Sequence, residues 1–193
     1  MPDAVLNSPL AGLAATLPCT LSVDGRACSL GETVLMQMFI LRGDAAQTEF
    51  AVAVARHTGL PLPLRANGAS LSPQRQLLWL GPDEWMFKTS DGDGAAVADA
   101  LRQDLLGMHS AVVEVGDGFT TLSVQGPGAA DLLARGCPLD LHPRAFPDGA
   151  LAQSHIAKAN VTLLCLHAGT DFEVTVRRSF ACYLLEWLTA AGS

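Results

Sequence analysis

Charge is what this sequence has least of. Charged residues make up 16% of its 193 positions, against roughly 25% in an average soluble domain. A self-sufficient monomer covers itself with more charge than that. The shortfall points to apolar or neutral surface buried against another protein, because interface cores are depleted in charge; an alanine-rich composition bias is the plainer alternative. Cations are the scarcer sign, with twelve Lys and Arg against nineteen Asp and Glu and a formal charge of −7. Without a basic stripe or interleaved basic and aromatic residues, the chain is not expected to bind nucleic acid or an anionic membrane surface.

Cysteine chemistry is lacking too. The five cysteines are Cys19, Cys28, Cys137, Cys165 and Cys182. None forms a C-x-x-C pair and their number is odd, which speaks against a zinc site and against a disulfide framework. Cys165 in a strand pattern and Cys182 in a helix pattern read as small core hydrophobes. Cys19 and Cys28 could meet around a hairpin as free thiols. The segment from Ala4 to Val23 carries no charge, yet its first cation is Arg26, and Pro9, Gly12 and Pro18 interrupt it. It therefore lacks the basic start of a signal peptide, and its Asn, Ser and Thr residues disfavour a membrane span. A cytoplasmic location is expected.

The apolar fraction of 49% is ample for a core, and hydrophobic periodicity orders the elements. Thr33 to Leu41 reads as a strand. Asp44 is expected to cap a helix to about His57, with Phe50 and Val54 on one face and Gly59 as its stop. A Pro- and Gly-rich loop covers 61–73. A hairpin follows, with Arg75–Leu80 and Glu84–Lys88 around Gly81-Pro82-Asp83, then a helix carrying Val97, Leu101 and Leu105. In the second half, Ala111–Val115 and Thr120–Gln125 are predicted to pair around Gly116-Asp117-Gly118. A short helix runs through Ala134, strands cover 149–158, 161–167 and 172–176, and Ser179 is expected to cap the last helix. The fold class is α+β: two related β-α-β-β-α lobes of split-βαβ type, over 33–109 and 110–193, preceded by an N-terminal extension, 1–32.

Each apparent chemical motif fails on inspection. Gly126-Pro127-Gly128 follows a strand and opens a helix, but the third glycine of a dinucleotide fingerprint is replaced by Asp131, and Pro127 removes an N–H where a pyrophosphate needs one. Asp91-Gly92-Asp93-Gly94 resembles a calcium loop whose twelfth position would be Arg102 instead of Glu. None of His57, His109, His142, His155 and His167 lies in a metal-ligand spacing, and no G-x-S-x-G elbow exists. No catalytic, cofactor-binding or metal-binding residue is assigned. Asp140, His142 and Arg144 form a polar cluster with no nucleophile beside it, so a loop or interface role is preferred. With Trp85, Phe146 and Trp187 as aromatic anchors, these six residues are the candidate partner interface.

Several stretches resemble the gamma subunit of heterotetrameric sarcosine oxidase. They are Ser8-Pro9-Leu10-Ala11-Gly12, Leu80-Gly81-Pro82-Asp83-Glu84-Trp85, the run from Gly136-Cys137-Pro138 through Leu139-Asp140-Leu141-His142-Pro143-Arg144-Ala145-Phe146, Gly149-Ala150-Leu151-Ala152-Gln153, and Phe172 to Phe180. The resemblance implies a fold similar to part of the folate-binding aminomethyltransferase domain. It also implies a complex with alpha, beta and delta subunits that oxidatively demethylates sarcosine to glycine, with flavins, NAD and tetrahydrofolate on the partner subunits and none on this chain. Where related aminomethyltransferases carry Asp-x-Ser, Glu114-Val115-Gly116 stands here, a departure from their folate site. Two other readings stay open. One is a stand-alone folate-binding protein of one-carbon or iron–sulfur metabolism, although the Gly-Gln-Glu expected after Arg135-Gly136-Cys137-Pro138 is missing. The other is a gamma-like subunit acting with an oxidase for another N-methyl amino acid.

Overall fold

A computed structural model describes residues 8–33 and 36–193. Residues 34 and 35 of the expected strand at Thr33–Leu41, and the start of the uncharged segment before residue 8, lie outside the described residues. The chain divides into a middle unit, residues 36–116, and a flanking unit built from 1–35 and 117–193.

The flanking unit begins with β1 (Cys19–Val23) and β2 (Arg26–Glu32), an antiparallel hairpin turning at Asp24-Gly25. Both turn residues have positive φ, 48° and 78°, as a tight two-residue hairpin requires. The middle unit follows with β3 (Gln37–Arg42), α1 (Thr48–Thr58), β4 (Ala69–Leu71), β5 (Arg75–Gly81), β6 (Glu84–Thr89), α2 (Gly94–Asp104) and β7 (Ala111–Glu114). Its sheet has the order β4-β5-β6-β3-β7, antiparallel throughout. The period of two along the strands puts Phe39, Leu41, Leu77, Trp85 and Phe87 into one core with Phe50 and Val54 of α1 and Val97 and Leu101 of α2. Gly59 ends α1 in the left-handed region, φ 71°, its N–H donating to the Ala55 carbonyl, an ordinary glycine stop.

The chain then returns to the flanking unit with β8 (Phe119–Gln125), α3 (Ala129–Ala134), β9 (Leu151–Ile156), β10 (Ala159–His167), β11 (Asp171–Arg177) and α4 (Ala181–Ala191). The sheet order is β1-β2-β8-β11-β10-β9, again all antiparallel. Its core joins Leu122, Leu163, Phe172 and Val174 to Leu132 and Leu133 of α3 and Leu184 and Leu188 of α4.

The two units share one plan. Matching β3-α1-β4-β5-β6-α2 to β8-α3-β9-β10-β11-α4 superposes both strand orders. Even a turn contact recurs: Gly43 N–H donates to the Asp83 carbonyl at 3.1 Å, and Gly126 N–H to the Thr170 carbonyl at 2.8 Å. The split-βαβ arrangement is thus present twice, with the short strand β4 inside the stretch expected to be loop. On the side away from β6, the sheet neighbour of β3 is β7, which comes after its repeat. The matching neighbour of β8 is β2, which comes before.

That difference corrects three expectations. The N-terminal segment is no separate extension, because β2 pairs with β8 in register from Ser29↔Gln125 to Glu32↔Leu122. The unit boundary falls at Gly116 and not at 109, because β7 pairs with β3. For the same reason β7 and β8 do not form a hairpin: Gly116–Gly118 is a short 3-10 turn that hands the chain from one sheet to the other. Two caps also differ. Asp44 instead closes a turn, its Oδ1 accepting from Ala46 N–H at 2.9 Å, and α1 starts after Gln47. The chain enters α4 through a 3-10 turn, Arg178–Phe180, so Ser179 makes no cap.

Candidate docking surface

The six candidate interface residues divide into two groups. Trp85 is 0% exposed. It packs on Phe50 with ring centroids 5.6 Å apart, and its indole N–H donates to the Pro63 carbonyl at 2.9 Å. Phe146 is 7% exposed and stacks on Phe172 at 6.4 Å. Both are core residues, and a side chain already enclosed by its own unit has no surface to offer a partner. The expectation that they anchor a partner is therefore corrected. Trp187 is half-buried against the flanking core and covers Gly136 so closely that a Cβ there would lie 2.9 Å from ring carbons Cζ2 and Cζ3.

Asp140, His142 and Arg144 are all exposed. They form successive local turns: Asp140 Oδ1 accepts from His142 N–H at 3.0 Å, and His142 Nδ1 accepts from Arg144 N–H at 3.2 Å. The imidazole is fixed as a turn acceptor, which accounts for the spacing of three polar residues two apart. The turn forms one wall of a groove of about 490 Å³ that has Ala130 and Ala134 of α3 and the Arg26–Asp131 ion pair (2.9 Å) along its lining. At the matching place in the middle unit, Arg42, Gly43, Asp83, His109 and Ser110 line a groove of about 620 Å³.

The motifs that failed in sequence have definite structural uses. Gly126, at φ 111°, lies so close to β2 that a Cβ would stand 2.6 Å from the Ala27 carbonyl oxygen. Gly128 N–H donates to that same oxygen at 3.0 Å, so the glycines are spent on strand–helix packing. The acidic loop Asp91–Asp93 is answered by Arg75, whose Nε meets Asp91 at 2.8 Å and whose Nη2 meets Asp93 at 2.5 Å. Arg75 Nη1 also takes the Thr58 carbonyl at 2.9 Å, tying the end of α1 to the start of α2. The Thr89 hydroxyl, and after it Arg75, hold the Asp91 carboxyl below the ordinary aspartate value. His57 sits at the end of α1 as expected, with Asp104 2.7 Å from its Nε2. Glu114, at the end of β7, is exposed.

Burial raises the thiols of Cys28 and Cys165 to about 11, helped by Cys19 for the first and by Asp148 and Asp171 for the second. Cys19 and Cys28 do lie on one hairpin, but Cys19 pairs with Leu30 and Cys28 with Leu21, and all five cysteines are free. Cys182, expected in the core, is exposed. No helix among the described residues is long and apolar enough to cross a membrane.

Residues 42–193 match the family model described as sarcosine oxidase, gamma subunit family. The chain belongs to this family. Across 97% of its length it is 31% identical to the sarcosine oxidase subunit gamma of Corynebacterium sp. (strain U-96), covering 90% of that protein. The subunit gamma from Arthrobacter sp. is 33% identical over 73% of the chain and 68% of its own length. In three dimensions the chain is similar to a chain of heterotetrameric sarcosine oxidase from Corynebacterium sp. U-96, with a TM-score of 0.87, 29% identity, and coverage of 96% of this chain and 93% of that one. The aminomethyltransferase T of the glycine cleavage system from Bartonella henselae shares the fold at a TM-score of 0.66 and 17% identity, covering 95% of this chain and 57% of that one. The fold implied by the sequence resemblance is therefore the fold found.

Proposed function

We propose that this chain is a non-catalytic gamma subunit of a heterotetrameric sarcosine oxidase, assembled with alpha, beta and delta chains. In this reading the complex oxidatively demethylates sarcosine to glycine, tetrahydrofolate on alpha accepts the one-carbon unit, and flavins and NAD reside on the larger subunits. This chain contributes folded surface. The observation that carries the reading is the length of the match: identity of 31% runs through 97% of this chain and 90% of a gamma subunit, with both units retained at a TM-score of 0.87. The local chemistry is in keeping with it. The glycine-rich turn and the acidic loop, the two places where a cofactor or cation could have been held, are engaged by Ala27 and Arg75 of the chain itself.

The test is co-expression with the alpha, beta and delta chains. The expected result is a flavin-containing particle that includes this chain and loses integrity or sarcosine turnover when it is left out. A monomer that ignores the other chains, with turnover unchanged by its omission, would contradict the reading.

A further inference from the structure

The two sheets differ at one edge. Beyond β8 the flanking sheet continues through β2 to β1 on one side, whereas beyond β3 the middle sheet stops at β7. A sheet edge is a row of outward N–H and C=O groups on which another strand can pair. The other edge strands are blunted by their sequence: β4 is three residues long, β1 exposes Thr20 and Ser22, and β9 exposes Gln153 and His155. β7 instead exposes the β-branched Val113, at 51%.

The direction of its backbone groups follows from one hydrogen bond. Val115 N–H donates to the Met38 carbonyl at 2.8 Å. In the antiparallel ladder of β7 with β3, the N–H and C=O of Val113 then also point to β3, and those of Val112 and Glu114 point outward. Two outward residues around a central valine are self-complementary. A second copy laid antiparallel, Val113 against Val113, would set each Val112 opposite a Glu114, and each such pair exchanges two hydrogen bonds. The result would be an isologous contact that covers the exposed valine.

Arg102 of α2 stands in the way. Its Nε and Nη2 both donate to the outward Val112 carbonyl, at 3.1 and 3.0 Å. Its Nη1 donates to the Asp99 carboxylate, one turn back in the same helix, at 2.6 Å. The guanidinium therefore occupies the place that the Glu114 N–H of a second copy would need. A charged donor also bonds a carbonyl more strongly than the neutral amide that would replace it.

We infer that Arg102 is an intramolecular edge cap, and that the β7 edge is a latent strand-pairing surface which it keeps shut against a second copy of this chain. The inference stands on the middle unit alone and does not rest on the proposed function.

The test is sedimentation velocity of the full chain at rising concentration, comparing wild type, Arg102→Ala, Glu114→Pro and the double variant. Wild type is expected to stay monomeric where Arg102→Ala dimerises, with self-association about tenfold tighter. Proline at 114 removes the outward N–H and leaves the ladder to β3 intact, a placement that an edge strand tolerates. The double variant is therefore expected to return to monomer. Hydrogen exchange supplies a second readout: peptides covering 112–114 should gain protection with concentration in Arg102→Ala and not in the double variant. Thermal melts within about 5 °C of wild type establish that the variants are folded. A monomeric Arg102→Ala overturns the inference. So does self-association that Glu114→Pro leaves intact, which would place the contact elsewhere. A wild-type chain that dimerises and is made monomeric by Glu114→Pro alone overturns it as well, because Arg102 would then not be closing the edge.

Discussion

Adding a single methyl group at Gly43 should destabilise the middle unit severely. An alanine Cβ there would lie 2.6 Å from Cδ2 and 2.8 Å from Cζ of Phe50, with Cε2 closer still. Ordinary contact requires about 3.5 Å or more, so the ring would have to retreat by roughly 1 Å. Phe50 is 1% exposed and already rests on Trp85, which leaves it nowhere to go. Overpacking of this kind costs about 3 kcal/mol when the neighbour is immobile. Phe50→Leu alone, which removes the ring and keeps most of the volume, should cost about 1.5 kcal/mol. The two losses would sum to about 4.5 kcal/mol if they were independent. They are not independent, because the leucine vacates the space the methyl needs. The double variant should lose only about 2.5 kcal/mol, a coupling of about 2 kcal/mol. Urea unfolding in a Trp187→Phe background isolates the signal, since the remaining tryptophans, Trp79 and Trp85, both belong to the middle unit. Full additivity of the two changes, or a Gly43→Ala midpoint equal to that of the parent, would refute the packing argument.

Three further outcomes follow from the same geometry. Trp85→Ala should cost about 4 kcal/mol in the same urea assay, because the ring is fully enclosed and its N–H bond to Pro63 is lost; any assembly defect should disappear at temperatures where the variant is folded. Arg75→Ala should cost about 2 kcal/mol, and it should flatten the acid limb of stability. Asp91 is depressed in the folded state, so its contribution is complete above the ordinary aspartate pKa of about 4 and is lost as pH falls below it; the parent should therefore lose more stability than the variant between pH 5 and pH 3. Cys28 and Cys165, raised from 9.0 to about 11 when folded, favour folding fully below pH 9 and lose that contribution between pH 9 and 11. Stability should fall across that window by about 3 kcal/mol per thiol. A thiol reagent at pH 8 should label Cys182 well before either of them.

Much of the fold was legible in the sequence because the signals were local. The stripe of Phe50 and Val54, the Gly59 stop, the hairpin around Pro82 and the helix carrying Leu184 and Leu188 all depend on spacings within a dozen residues, and the internal repeat follows from them. What stayed hidden was pairing over long separations. Gly116-Asp117-Gly118 has the composition of a hairpin turn, yet the partners of its two strands are Arg42 and its neighbours on one side and Thr175 and its neighbours on the other. The alternation of Cys19, Leu21 and Val23 is a strand signal, but proline and glycine nearby obscured it, and its sheet lies a hundred residues downstream. The candidate interface fared by the same logic. Asp140, His142 and Arg144 were placed on the surface by their polarity, whereas Trp85 and Phe146 have the same residue types as interface anchors, and only burial separates the two roles.

The most direct test of the central claim is native mass spectrometry of the particle purified through a tagged alpha chain after co-expression with beta, delta and this chain. The expected result is a flavin-containing complex that includes one copy of this 20.2 kDa chain and releases it as an intact subunit on activation. A complete, active particle of the other three chains, with this chain recovered free in the flow-through, would contradict it.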